Sequence, residues 1–417
     1  MNDNVVIVGA GPAGLCLSLA LAARGMRVDV VERQPATALA VPGFDGREIA
    51  LTHSSMRLLR ELGVWDRIPV DERAPLRRAR VLDGADPGFE VDGAAFGHDR
   101  LGMLVSNRVI RAAAWQAVTN EVHIRVHAGV AVEAATRDAR AARVSLADGR
   151  LLEAPLLVAA DSRYSETRRA MGIPVHMHDF GSSMVLCRMR HAMANDGTAW
   201  EWFGQGQTRA LLPLGEHLSS VVLTVPGAEA RRLLDLSPDA FAADVAARYE
   251  GRLGDLELAS TRHAYPLVAT WARRFVAHRF ALAGDAAVGM HPVTAHGFNL
   301  GLSSVEHLAQ AAGDGLERHG DPGDAAMLAR YQRRHRIGST PLFAGTQAVA
   351  GLFTDRRAAA QPVRRAILRM GRRLPVLRRA LAANLLDETP RPAAPLHYAR
   401  TGIRILRPRL RRRSFGH

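Results

Sequence analysis

The stretch that most constrains this chain is its first 32 residues. Val5-Val6-Ile7-Val8 is a short apolar, β-branched run of the kind buried inside a parallel sheet. Gly9-Ala10-Gly11-Pro12-Ala13-Gly14 follows, then an Ala- and Leu-rich helix through Ala23 closed by Gly25, then a second apolar strand, Val28 to Val31, that ends on Glu32. Each position has a mechanical reason. Gly9 permits a tight turn, Gly11 lets backbone approach a pyrophosphate, and Gly14 lets helix and strand pack closely. The helix start offers N–H groups and the positive end of its dipole to phosphate, and Glu32 stands where a carboxylate can accept from ribose hydroxyls. Gly-x-Gly-x-x-Gly alone is common. With a strand before it, a helix after it and an acid at this distance, it specifies a dinucleotide site.

The 417 residues are 47% hydrophobic, enough for a large core and two interlocked domains. No run is long and apolar enough to span a bilayer, and no signal peptide precedes the first strand, so a cytoplasmic protein is expected. Cys16 and Cys187 form no Cys-x-x-Cys, which excludes disulfide exchange and zinc fingers. Charge is uneven: residues 356–417 hold 17 Arg against Asp387 and Glu388, a net of +15, leaving the first 355 residues at −1. A basic tail on a neutral body points to an anionic surface. Within it, Ile367, Met370, Leu374, Leu377 and Leu381 recur at mostly helical spacing among arginines, with Pro375 breaking the run. Such a segment can lie on a membrane or pack on the body with its Arg face in water.

Further along, Asp45 to Leu51 leads into a helix, Ser54 to Leu62, and strands are expected around Ala79 to Val91. Leu101 to Arg108 opens a helix that runs to Val118, and Val122 to Leu152 reads as a meander of short strands. Leu156 to Ala160 is another buried strand, ending in Asp161-Ser162-Arg163. Strand-like runs then alternate with turns and one helix, Pro238 to Arg248, which suits an inserted sheet. The expected organisation is a first nucleotide-domain part at 1–173, with a short substrate-domain segment near 76–100, and a substrate domain at 174–270. A second nucleotide-domain part at 271–345, C-terminal helices at 346–390 and a basic tail at 391–417 complete it. The fold class is therefore α/β: a doubly wound nucleotide domain, an inserted β-sheet substrate domain and a helical C-terminus.

Phe280-Ala281-Leu282-Ala283-Gly284-Asp285 repeats the physics of the first motif, an acid at a strand tip. A Gly-bearing helix start follows at Gly297-Phe298-Asn299-Leu300-Gly301. Two such grips suit a ligand larger than NAD, such as FAD.

With these motifs together, the chain resembles the class A FAD-dependent aromatic monooxygenases of the para-hydroxybenzoate hydroxylase fold. It is most similar to the ubiquinone-biosynthesis hydroxylases, over about residues 4–390. The resemblance rests on Gly9 to Gly14 with Glu32, Asp-x-Arg-x-x-Ala-Leu at Asp45 to Leu51, and the Asn107 stretch. Asp161 to Arg168 and Gly284 to Gly301 complete it. It implies FAD contacts from Gly9, Gly11, Ala13, Gly14, Glu32, Arg33, Arg47, Asn107, Asp161, Asp285, Gly297, Phe298 and Asn299. It places His291, Pro292 and His296 at the flavin face. Three positions depart from the family pattern: Ser162 replaces the Gly of Asp-Gly, Val288 stands at a usual His, and Thr294-Ala295-His296-Gly297 replaces Ala-Gly-Gln-Gly. A positive φ at Ser162 would carry strain.

His291 or His296 can serve as a proton relay near neutral pH, or simply bond the backbone. His176, His178 and Asp179 have metal-ligand types, but nothing completes a set, and no metal is expected. Trp200-Glu201-Trp202-Phe203 is similar to a flavin-halogenase signature. That signature continues into Ile-Pro and works with a lysine, whereas here Gly204 follows and all 55 basic residues are Arg. These aromatics read instead as core or pocket wall. What the resemblance implies is hydroxylation of a polyprenylated phenol or quinol, with NAD(P)H as reductant, O2 as co-substrate and no nucleic acid. Contact with a membrane through the basic tail and with other quinone-biosynthesis enzymes is implied as well. Hydroxylation of another aromatic compound, reduction of prenyl double bonds and a non-catalytic binding role are the alternatives.

Overall fold

The strand Asn4–Val8 lies inside a six-stranded sheet, between Leu156–Ala159 and Arg27–Glu32. Phe280–Leu282 and Val276–Ala277 extend it on one side and Ile124–Ala128 on the other, and every pairing but the 276–282 hairpin is parallel. Val5, Ile7 and all of Leu156–Ala159 are fully buried, which is why these strands read as unbroken apolar runs. Helix Pro12–Ala22 packs on this sheet and against the long helix Gly297–His319. The computed structural model describes residues 3–83, 86–204, 207–291, 296–354 and 366. Pro292, most of the 363–386 amphipathic segment and the basic tail lie outside the described residues.

Two sequence expectations need correction. The expected meander of 122–152 is divided: Ile124–Ala128 pairs parallel with Arg27–Glu32 at the sheet edge, and only the strands from Val132 to Ala154 form an antiparallel meander. An edge strand covered on one face alternates in burial like a meander strand, so its periodicity misleads. The stretch read as holding one helix holds two. Gly227–Asp235, whose Pro226-Gly227 start resembles a turn, buries Ala230 and Leu233 beside Pro238–Arg248.

A second, mainly antiparallel sheet is built on the long strand Val175–His191. Its order runs Val288–Gly289, His263–Ala272, Val175–His191, Leu218–Pro226, Gln207–Gly215, Thr198–Gly204, Arg78–Asp83, Asp86–Asp92. One face, with Val185, Cys187, Trp202, Leu211 and Leu223, packs on Leu233, Phe241 and Val245 of the two helices. The other face turns toward the loop after Val41 and the helix Ala325–Thr354. Leu186 lies against Gly46, and Phe203 packs with Val349 and Leu352. Among the described residues no helix is long and apolar enough to cross a membrane.

Candidate active site

Glycine chemistry brings the separated motifs together. Gly9 has φ +107°, and an added Cβ would lie 2.5 Å from the Ala160 carbonyl oxygen and 3.0 Å from Asp161 Cα. The first turn therefore rests on the Asp161 motif. At Gly14 a Cβ would fall 1.9 Å from the Gly9 carbonyl oxygen, so only Gly permits this helix–turn contact. Gly284, at φ +58°, would place a Cβ 2.9 Å from that of Ala13, and its N–H donates to Ser304 Oγ at 2.8 Å. Gly11 differs: a Cβ there meets nothing within 4 Å.

Glu32 closes the turn from the next strand. Its carboxylate accepts from the N–H of Ala10 at 2.8 Å and of Gln34 at 2.9 Å. Arg33, beside it, is exposed.

On the far side, Asp45 organises a second cluster. Arg47 Nη2 donates to Asp45 Oδ2 at 2.6 Å, Asn107 Nδ2 to the same oxygen at 2.7 Å, and the Asn107 N–H to the Arg47 carbonyl at 2.9 Å. Burial alone would raise the Asp45 carboxyl; Arg47 and the Asn107 amide outweigh it and hold it below its usual range. Tyr265 Oη donates to the Asp45 carbonyl at 2.9 Å, and its ring lies under the Arg47 guanidinium. Close by, Glu48, whose side chain is 1% exposed, receives Arg188 Nε at 2.8 Å. Tyr265 and Arg188 belong to the second sheet, so this turn is where the two sheets lock.

The third motif is tied to the fourth. Arg163 Nη2 donates to Asp285 Oδ2 at 3.0 Å, and Arg168, 1% exposed, gives Nη1 to the carbonyls of Arg163 and Ala286 at 3.1 and 3.0 Å. Burial pushes the Arg168 guanidinium below its ordinary value, with the Asp161 charge working against the shift. Ser162 adopts φ +86°, the left-handed region that its sequence position called for.

His291 is buried and meets Phe180 edge-on at 4.6 Å. Burial lowers its imidazole to about 4, so it is neutral at physiological pH and holds no exchangeable charge near pH 7. His296 sits at the N-cap of the Gly297–His319 helix. Asn299 spends its amide on the protein, accepting from the Thr52 N–H at 3.1 Å and donating to the Ala50 carbonyl at 2.8 Å. It pins the helix start to the strand Glu48–Leu51, and Phe298 packs on the main core. Sequence reasoning missed Tyr265, Arg188, Arg163 and Arg168 as members of this constellation. The last two lay inside a motif already singled out.

Residues 2–339 match the FAD binding domain family. The chain is 44% identical over 390 residues to the ubiquinone hydroxylase UbiM of Neisseria meningitidis, covering 92% of this chain and 85% of that protein. The chain belongs to the FAD-dependent ubiquinone hydroxylase family. Another relative, the 3-demethoxyubiquinol 3-hydroxylase of Escherichia coli, is 30% identical, with 79% of this chain and 85% of that one aligned. The fold is also that of p-nitrophenol 4-monooxygenase from Pseudomonas putida DLL-E4, at 20% identity and TM-score 0.72, covering 92% of this chain and 98% of the other. This family member is thus an FAD-dependent monooxygenase, and its residues fit that cofactor. Glycine at 11 answers to no protein neighbour, and the space that a Cβ would take there is the space a phosphate needs.

Proposed function

We propose that this monooxygenase hydroxylates the aromatic ring of a prenylated phenol or quinol on the way to ubiquinone. The observation that carries this reading is the 44% identity, across 92% of the chain, to a protein named ubiquinone hydroxylase. Gly11 and the start of helix Pro12–Ala22 would hold the pyrophosphate of FAD, Glu32 its ribose and Asp285 its sugar-alcohol chain, and Arg47 and Asn107 would stand toward the ring system. The chemistry supplied by bound FAD, reduced by NAD(P)H, would be reaction with O2 and transfer of one oxygen atom to an electron-rich ring carbon. The chain binds and orients both partners and keeps water out; neutral, buried His291 with Phe180 gives that wall an apolar surface. The 17 arginines of residues 356–417 support contact with an anionic membrane, where a prenylated substrate resides.

The test is turnover of candidate prenylphenols under labelled O2 with NADH or NADPH. One labelled oxygen in the product is expected. Label arriving from water, or a saturated product with no new oxygen, overturns the reading.

A further inference from the structure

We propose that Glu201 anchors the substrate, its carboxyl making a hydrogen bond to a ring oxygen of the bound phenol or quinol; this rests on the substrate reading above. The register of the second sheet places it. Cross-strand pairs set His263 beside Leu186, Leu186 beside Val222, Val222 beside Ala210, Ala210 beside Glu201, and Glu201 beside Val81. Directly opposed residues project from the same face of a sheet. The row therefore runs from the Asp45–Arg47 turn, where Leu186 and His263 both lie against Gly46, to Glu201. Its neighbours along the strand, Trp200 and Trp202, point the other way into the helix-covered core.

Only the small side chains of Ala210 and Val222 stand between Glu201 and Leu186 in this row. Beyond Glu201, Phe203 continues the same face and meets Val349 and Leu352 of the helix Ala325–Thr354. Glu201 Oε1 is sealed from solvent and has no hydrogen-bond partner, and among the described residues Glu201 forms no ion pair. Glu201 as a whole is half-buried, so its carboxyl keeps some access on one side. A sealed carboxyl oxygen without a partner costs folding free energy, so a chain that keeps one has a use for it elsewhere. Burial pushes the group up to about 8, so at neutral pH it is chiefly a neutral acid, able both to donate to a ring carbonyl and to accept from a ring hydroxyl.

The experiment uses the FAD-loaded enzyme and 2-geranylphenol as probe, reading the flavin absorbance change for Kd and product for turnover. Glu201→Gln keeps a donor and an acceptor and binds within about threefold of wild type. Glu201→Leu removes both and weakens binding roughly tenfold, the loss of one hydrogen bond. It does so with FAD content unchanged and a melting temperature equal to or above wild type, because the unpartnered polar group is gone. A merely structural role would instead lower melting temperature and binding together. A Leu variant that binds like wild type, a Leu variant that loses FAD or melts lower, or a Gln variant as weak as tenfold overturns the role of Glu201. A wild-type enzyme that neither binds nor converts the probe overturns the substrate reading itself, and this inference with it.

Discussion

Arg163 reaches Asp285 across 122 residues of sequence at 3.0 Å, while its other nitrogen donates to the Val268 carbonyl at 2.8 Å. One side chain thus fastens the loop after Leu156–Ala159, the turn after Phe280–Leu282 and a strand of the second sheet. The pair is part-exposed, at 28% and 37%, so its direct contribution is about 0.2–1 kcal/mol. Arg163→Ala removes the Val268 bond as well and should cost about 1–3 kcal/mol in denaturant unfolding, most of it from that bond. Asp285→Ala should cost about 1–3 kcal/mol in FAD affinity, read as flavin retained after gel filtration.

Gly11 and Gly14 should separate fold from cofactor. A methyl at Gly14 collides with the Gly9 carbonyl, so Gly14→Ala should destabilise the protein even without FAD. Gly11→Ala meets open space at φ −70°, and the apoprotein should melt within about 1 kcal/mol of wild type, on the stabilised side. Titrated with FAD, it should bind far more weakly. Equal FAD affinity would show that the turn does not carry the pyrophosphate.

At Ser162 the left-handed backbone carries a cost that Gly would not incur. Ser162→Gly should raise stability by about 1 kcal/mol, after the entropy that Gly loses on folding is counted. Thermal unfolding of the two proteins checks this, and no gain would mean the Ser side chain supplies a compensating contact.

Acid should unfold this enzyme through histidine. Burial holds His291 and His307 near 4 and His335 near 3, against 6.5 for an unfolded imidazole. Above 6.5 neither state binds these protons and stability is level. As pH falls from 6.5 toward 4, the unfolded chain takes up protons that the folded chain refuses, and stability drops by up to about 1.4 kcal/mol per pH unit for each group. Denaturant unfolding at pH 7.5, 6.0, 5.0 and 4.5 should show a plateau and then a steep fall. His335→Phe should flatten that fall by up to one proton.

The arginine-rich end gives a salt-dependent expectation. A chain ending at Leu386 should sediment less with anionic vesicles than the full chain, by on the order of 1 kcal/mol per Arg brought to the surface. The difference should shrink as salt is raised. Equal, salt-insensitive sedimentation of both would remove the membrane reading.

What could be read from the sequence followed from how local each constraint is. Gly14 and Glu32 answer to contacts within one βαβ unit, and fixed spacing reveals them. The central strands were legible because burial on both faces leaves unbroken apolar runs. Tyr265, Arg188 and Arg163 were not, because each joins the site through strand register in the second sheet or through a loop's reach, and one sequence carries no register signal. Asn299 is a mixed case. Its place in a motif was clear, but its amide bonds to Thr52 and Ala50, which pin the helix start, were not, because no spacing signals them.

The strand order of the parallel sheet also sets a schedule for synthesis. Leu156–Ala159 pairs with Asn4–Val8 on one edge, but its other edge waits for Phe280–Leu282. The strands of the second sheet from Val175 to Ala272 leave the ribosome in between. Until residue 282 emerges, a nascent chain carries a nearly complete insert, lacking its edge strand Val288–Gly289, on a half-built platform whose central strand has an open edge. Stalled or truncated chains ending before Phe280 would therefore be the species most prone to pair edge to edge, and the ones a chaperone must shield.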